Sequence, residues 1–159
     1  MRSAVALVVA SAALLGSVLV AVPAQGSSAQ FSGVRQATAS FHSVDKAEAA
    51  GYEKFLPCFD SPGVGGMGQH YADMNAIDGT VVADHPEVLV YEQHGDRMQL
   101  VAVEYVVPQS VWTGAQPPEL FGEQFHRNDT LGIWALHAWV WRPNPDGVHA
   151  DFNPSVDLC

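Results

Sequence analysis

Apolar positions first run almost unbroken along this chain. From Ala4 to Val20 only Ser11, Gly16 and Ser17 interrupt them. Met1-Arg2 places a positive charge before the run, and Ala21-Val22-Pro23-Ala24 ends it with small or short residues. Charge, apolar core and small-residue exit are the order of a secretory leader cleaved after Ala24. A bilayer span needs about 20 apolar residues, but Pro23, Gly26 and Ser27-Ser28 follow at once, with no basic stop-transfer cluster. Cleavage is therefore the better reading of this stretch than an anchor. A polar tail over 25–30 then leads into a single domain expected over 31–159.

In that domain the period changes to that of a helix. Val34, Ala37, Phe41, Val44 and Ala47 recur at steps of three and four, with Arg35, Gln36, Lys46 and Glu48 between them, which predicts helix over 31–55. Ser43 is placed to cap and split it, and Gly51 to end it. Residues 57–69 carry Pro57, Pro62 and several glycines around Cys58 and read as an irregular loop. Val88 to Glu92 and Leu100 to Val107 form the arms of a hairpin turned at His94 to Arg97. Residues 109–130 read as a long connection. Leu131 to Arg142 is a strand apolar on both faces, His137, Trp139 and Trp141 alternating with Leu136, Ala138 and Val140. Val148 to Phe152 reads as a last short strand. Helices followed by antiparallel strands predict an α+β domain, an N-terminal helical segment packed on an antiparallel β-sheet. A β-barrel with a helical N-terminal extension is the alternative.

Composition adds a compartment and excludes some partners. Seven Lys and Arg oppose 17 Asp and Glu, for a net charge of −10, and cleavage would remove Arg2 as well. A surface this acidic repels nucleic acid and anionic lipid and favours a metal ion or a small molecule as partner; no second apolar run offers the mature form a membrane span. Few lysines and abundant Ala, Val and Gly fit a bacterial source. The two cysteines, Cys58 and Cys159, have one possible pairing. In an exported chain they are expected to form a disulfide.

The candidate chemistry lies in histidines and strand-borne glutamates. His70 ends the glycine segment and His137 lies mid-strand, while Glu92 and Glu104 interrupt apolar runs where an unpaired carboxylate is costly. With a Gly95-Asp96 turn, Glu92 pairs with Gln99 on the face of Val101, Val103 and Tyr105, and Glu104 falls on the other face. Glu104 is the deeper, so His70, Glu104 and His137 form the expected metal set. Two imidazoles and a carboxylate suit zinc or copper first, iron or manganese second, with the glycine loop closing His70 over the ion. His126 and His149 are further candidates; His42, His85 and His94 are assigned no role. A second functional reading is a non-metal small-molecule site lined by Trp139, Trp141 and Tyr105, and a third a structural or interaction domain without catalysis. No Gly-x-Ser-x-Gly or HExxH pattern occurs, so neither a nucleophile nor a reaction is assigned.

Gly66-Met67-Gly68-Gln69-His70-Tyr71, Val103-Glu104-Tyr105-Val106-Val107-Pro108, Leu136-His137-Ala138-Trp139-Val140-Trp141 and Asn153-Pro154 with Cys159 together resemble a group of secreted bacterial hypothetical proteins. The resemblance covers most of the mature chain and implies secretion and a single domain. It transfers no catalytic residue.

Overall fold

A computed structural model describes residues 29–159. The leader expected at 1–24 and all but the end of the tail expected at 25–30 lie outside the described residues. The helical segment is shorter than its periodicity suggests: α1 (Ser32–Thr38), a 3₁₀ turn (Ala39–His42) and α2 (Val44–Ala49). Ser43 begins α2, and Gly51 follows its end at φ 101°, a conformation glycine adopts without strain. The chain then turns directly into strand β1 (Glu53–Ser61), so the expected helix over 31–55 loses its last turn.

Seven further strands follow among the described residues. β2 (Gly65–Ala72), β3 (Val88–His94) and β4 (Arg97–Pro108) continue as an antiparallel meander. β5 (Glu119–Leu120) and β6 (Glu123–Gln124) make a small hairpin, then β7 (His126–Asn128) and β8 (Ile133–Ala138) return to the main sheet. That sheet is curled, with order β1-β2-β3-β4-β8-β7. It is an open half-barrel with edges at β1 and β7, so the described residues are mostly β and stand between the helix-on-sheet domain and the β-barrel with a helical N-terminal extension. The expected packing of helix on sheet is present. Phe31, Val34 and Ala47 share one buried cluster with Leu89, Tyr91, Val103, Tyr105 and Leu136. Arg35 Nε donates to the Val140 carbonyl at 2.8 Å and Tyr91 Oη to that of Phe41 at 2.6 Å.

Three departures from the expected elements matter for the site. The loop expected at 57–69 is the β1–β2 hairpin. Pro57 is tolerated because β1 is an edge strand, where a missing N–H leaves no ladder partner unsatisfied. The glycines of β2 serve close approach, not looping. A Cβ on Gly65 would lie 2.5 Å from the Asn153 backbone, and one on Gly68 2.7 Å from the Tyr91 carbonyl. The C-terminal segment lies across β2 in their place, as a strap joined by a Gly66–Asn153 bridge and by the Cys58–Cys159 disulfide, Cα atoms 5.8 Å apart. The short strand expected at 148–152 does not form.

The third departure is a β-bulge. Val90 pairs with Ala102, but Tyr91 pairs with Leu100, which leaves Val101 as an extra residue in β4. Its carbonyl accepts the N–H groups of both Trp141 and Arg142, which ends β8 at Ala138, short of the strand expected to Arg142. The bulge also corrects the face assignment. Glu92 pairs with Gln99 as expected, but Glu104 pairs with Val88, and Val88, Val90 and Glu92 alternate along one face of β3. Glu92 and Glu104 therefore point to the same side of the sheet, away from the helices. They still do not share a site, because they lie four residues apart along the strands.

Three glutamates are buried, each stabilised differently. Glu92 meets the Arg142 guanidinium, His94 Nε2 at 2.8 Å and the Asp157 N–H at 2.8 Å. Glu104 faces histidines. Glu87, at the entry to β3, draws on its own backbone amide and accepts the Val106 N–H at 3.0 Å. Burial pushes its pKa up to about 7, against the pull of that N–H; the charges of Asp78 and Glu104 add to the rise. A folded-state pKa above the ordinary glutamate value of 4.5 means that the folded protein binds the proton more tightly. Stability from this group is full below pH ~4.5 and falls as pH rises to about 7, by roughly 2–3 kcal/mol. Glu87→Gln keeps an acceptor for Val106, so it is expected to flatten that fall in thermal unfolding midpoints. An unchanged pH profile would contradict it.

Candidate metal centre

The sheet register assembles the site. His70 on β2 pairs with Val90, and Val90 with Ala102. One row along, Ala72 pairs with Val88, Val88 with Glu104, and Glu104 with His137 on β8. Partners across antiparallel strands point to the same face, so the three side chains emerge together. Ala72, Val88, Val90 and Ala102 are small enough to leave room between them, and the curl of the sheet brings β2 and β8 toward each other across the valines of β3.

His70 Nε2 lies 3.5 Å from Glu104 Oε2, and His137 Nε2 lies 3.7 Å from Glu104 Oε1. One ligand-type atom from each residue lies within 4.8 Å of the others. The two imidazoles meet edge to face at 5.9 Å between centroids. A tetrahedral zinc with bonds of ~2.0–2.1 Å spaces its donors about 3.3 Å apart, so small side-chain adjustments suffice. All three residues are buried, and His70 Nδ1 and both ring nitrogens of His137 have no hydrogen-bond partner. Buried polar atoms are nearly always satisfied, and the unpartnered His137 Nε2, with His70 Nε2 on the other oxygen of Glu104, fits a ligand set; the remaining two are the second nitrogens of the same rings, that of His137 facing Asp151. Protonation separates the two imidazoles, and only that of His70 is shifted toward the neutral form that a metal needs. Burial lowers the pKa of His70, with His137 adding to the effect and Glu104 opposing it. Burial also works against charge on His137, but there Glu104 and Asp151 outweigh it and the pKa is raised.

Asp151 is the residue that sequence reasoning missed. It lies 3.8 Å from His137 Nδ1, a charge contact too long for a hydrogen bond, and 2.9 Å from Nδ1 of exposed His126. Contact with His137 and then with His126 holds its carboxyl down to about 2, despite partial burial. An anion behind a ligand imidazole is the outer-shell arrangement that orients such histidines. Its signal was absent from the sequence because Asp151 sits in an irregular segment, 14 positions from His137 by number.

The remaining candidates fall elsewhere. His126 touches the site only through Asp151. His149 Nδ1 bonds the His137 carbonyl at 2.6 Å, and its ring stacks on Phe121, so it braces β8 from the helix side. His70 sits within a strand, and no loop closes it over the centre. The aromatic set does not line one pocket. Trp139 stacks beside His137, but Tyr105 is in the helix-side core, and Trp141 packs against that core with Nε1 donating to Thr38 Oγ1 at 3.1 Å. The end of β8 at Ala138 breaks the alternation that would have put Trp139 and Trp141 on one face.

A second group, Glu92, His94 and Asp157, also has ligand-type atoms within 4.8 Å of one another. Arg142 already neutralises its buried carboxylate, and the guanidinium would repel a cation. Its role is to hold the strap. No family model, curated protein or solved structure matches the chain, so the site rests on its own geometry.

Proposed function

We propose that the protein is a secreted metal-binding protein in which His70, Glu104 and His137 hold a divalent cation, zinc or copper. The observation that carries this reading is the meeting of three buried ligand-type side chains whose ligand-type atoms lie within 4.8 Å of one another, one of them a His137 Nε2 with no hydrogen-bond partner. All three ligands come from the sheet, so the side of the ion away from the sheet is left for water or substrate. That is the arrangement of a catalytic metal, as opposed to a closed structural one. The leader pattern at 1–24 and the disulfide support work outside the cytoplasm. Among the described residues no helix is long and apolar enough to cross a membrane.

Metal analysis of protein purified from culture medium without chelator or affinity tag is expected to find one equivalent of zinc or copper per chain, on a polypeptide whose mass begins near Gln25. A chain that carries no metal and takes up neither ion on reconstitution would end the metal reading. A full-length mass in the membrane fraction would end the secreted one.

A further inference from the structure

Large apolar side chains on the surface are not scattered. Of the nine exposed ones among the described residues, Phe55, Leu56, Phe59, Met74 and Leu131 line a single groove of about 660 Å³ whose floor is His70, Glu104 and His137. One wall is β1, where the register shifts between Phe55 and Phe59 and Leu56 is held at φ 59°. A left-handed conformation is unfavourable for a leucine, and strain of this kind marks sites where the side-chain direction matters. The opposite wall is the β7–β8 turn. Its cation, Arg127, is taken up by Asp129 at 2.6 Å and by the Trp134 ring.

We propose that this groove binds an uncharged small molecule with a largely apolar body, seated on the β1 wall with its polar end toward the His70–Glu104–His137 floor. The size argues for a small molecule, since such sites run roughly 300–1,000 Å³. The charge argues for an uncharged one. Glu104 and Asp151 together balance a divalent ion, and the two cationic side chains on the rim, Arg127 and His126, are already paired with Asp129 and Asp151, so the rim offers an anion no unpaired cation. The last step rests on the metal reading, but the apolar wall does not.

The test uses the neutral dye N-phenyl-1-naphthylamine, which fluoresces in apolar sites, on metal-loaded and metal-free protein. Saturable binding is expected, with displacement by neutral 2-naphthol at a concentration at least about tenfold lower than by anionic 2-naphthoate. Met74→Asp and Leu131→Asp alter side chains that are 57% and 44% exposed, so the fold should survive them, and each is expected to weaken dye binding about tenfold or more. Val64→Asp, on the β1–β2 turn outside the groove, should leave it unchanged. Absence of saturable binding, equal effects of all three substitutions, or equal displacement by naphthol and naphthoate would overturn the proposal. Dye binding in protein that takes up no metal would leave the groove standing and remove the metal; metal uptake without dye binding would do the reverse.

Discussion

Protein with His137 replaced by Ala is expected to lose its divalent ion, with affinity lower by at least about a hundredfold. Two ligands, His70 and Glu104, would remain where the site offers three, and a two-ligand zinc site is rarely retained at trace metal concentrations. The substitution also removes the imidazole that Asp151 faces and the ring stacked beside Trp139, so the fold needs its own check: Cys58 and Cys159 should stay protected from alkylation until reductant is added. Asp151→Asn is the milder companion. It leaves all three ligands in place and is expected to weaken metal binding by about 10–100-fold, as loss of an outer-shell partner does. His94→Ala, in the strap cluster, should bind metal like the parent. Competition with a chromophoric chelator reads all three; equal retention of metal by H137A and H94A would place any bound ion outside the site described above.

The second large effect concerns stability. Removing Arg142 would leave the Glu92 carboxylate, 3% exposed, with His94 and the Asp157 N–H but no guanidinium. Breaking a buried ion pair from one side costs about 3–5 kcal/mol, whereas replacing both partners by apolar groups is often near neutral. Arg142→Leu is therefore expected to lower the urea midpoint by an amount equivalent to about 3 kcal/mol. The double variant Glu92→Leu, Arg142→Leu should recover most of it. The double variant still loses the acceptor for the Asp157 N–H, so recovery should stop short of the parent. Additive losses in the double variant would mean that the two side chains do not act as a pair.

The main hairpin was legible in the sequence because it rests on local information; His70, Glu104 and His137 were expected to meet by a glycine loop closing over the ion, whereas the register of four strands brings them together. Alternation marks β3 and β4, and a glutamate inside an apolar strand announces a need for a partner. What was not legible depended on contacts distant along the chain. Nothing local distinguishes Gly65, Gly66 and Gly68 as strand residues from the same glycines in a loop; the strap from 153–159 decides it for the first two and the close approach of β3 for Gly68. Pro57 reads as a break until β1 is known to be an edge. Phe55 and Phe59 gave no signal as a groove wall, since the irregular register of β1 turns them. The expected opposition of Glu92 and Glu104 followed from strict alternation through β4, and one extra residue defeats strict alternation.

That extra residue makes the centre tolerant of one change in chain length and of few others. Loss of Val101 would change hydropathy and charge little, and Leu100 would still meet Tyr91 while Ala102 met Val90, so Glu104 would keep its place opposite Val88 on the groove side. The deletion would instead remove the carbonyl that receives the Trp141 and Arg142 N–H groups, and so loosen the end of β8. Among descendants of this sequence, a single-residue gap at 101 should thus be compatible with the three ligands. An added residue between Ala102 and Glu104 should not, because it would carry Glu104 under the helices.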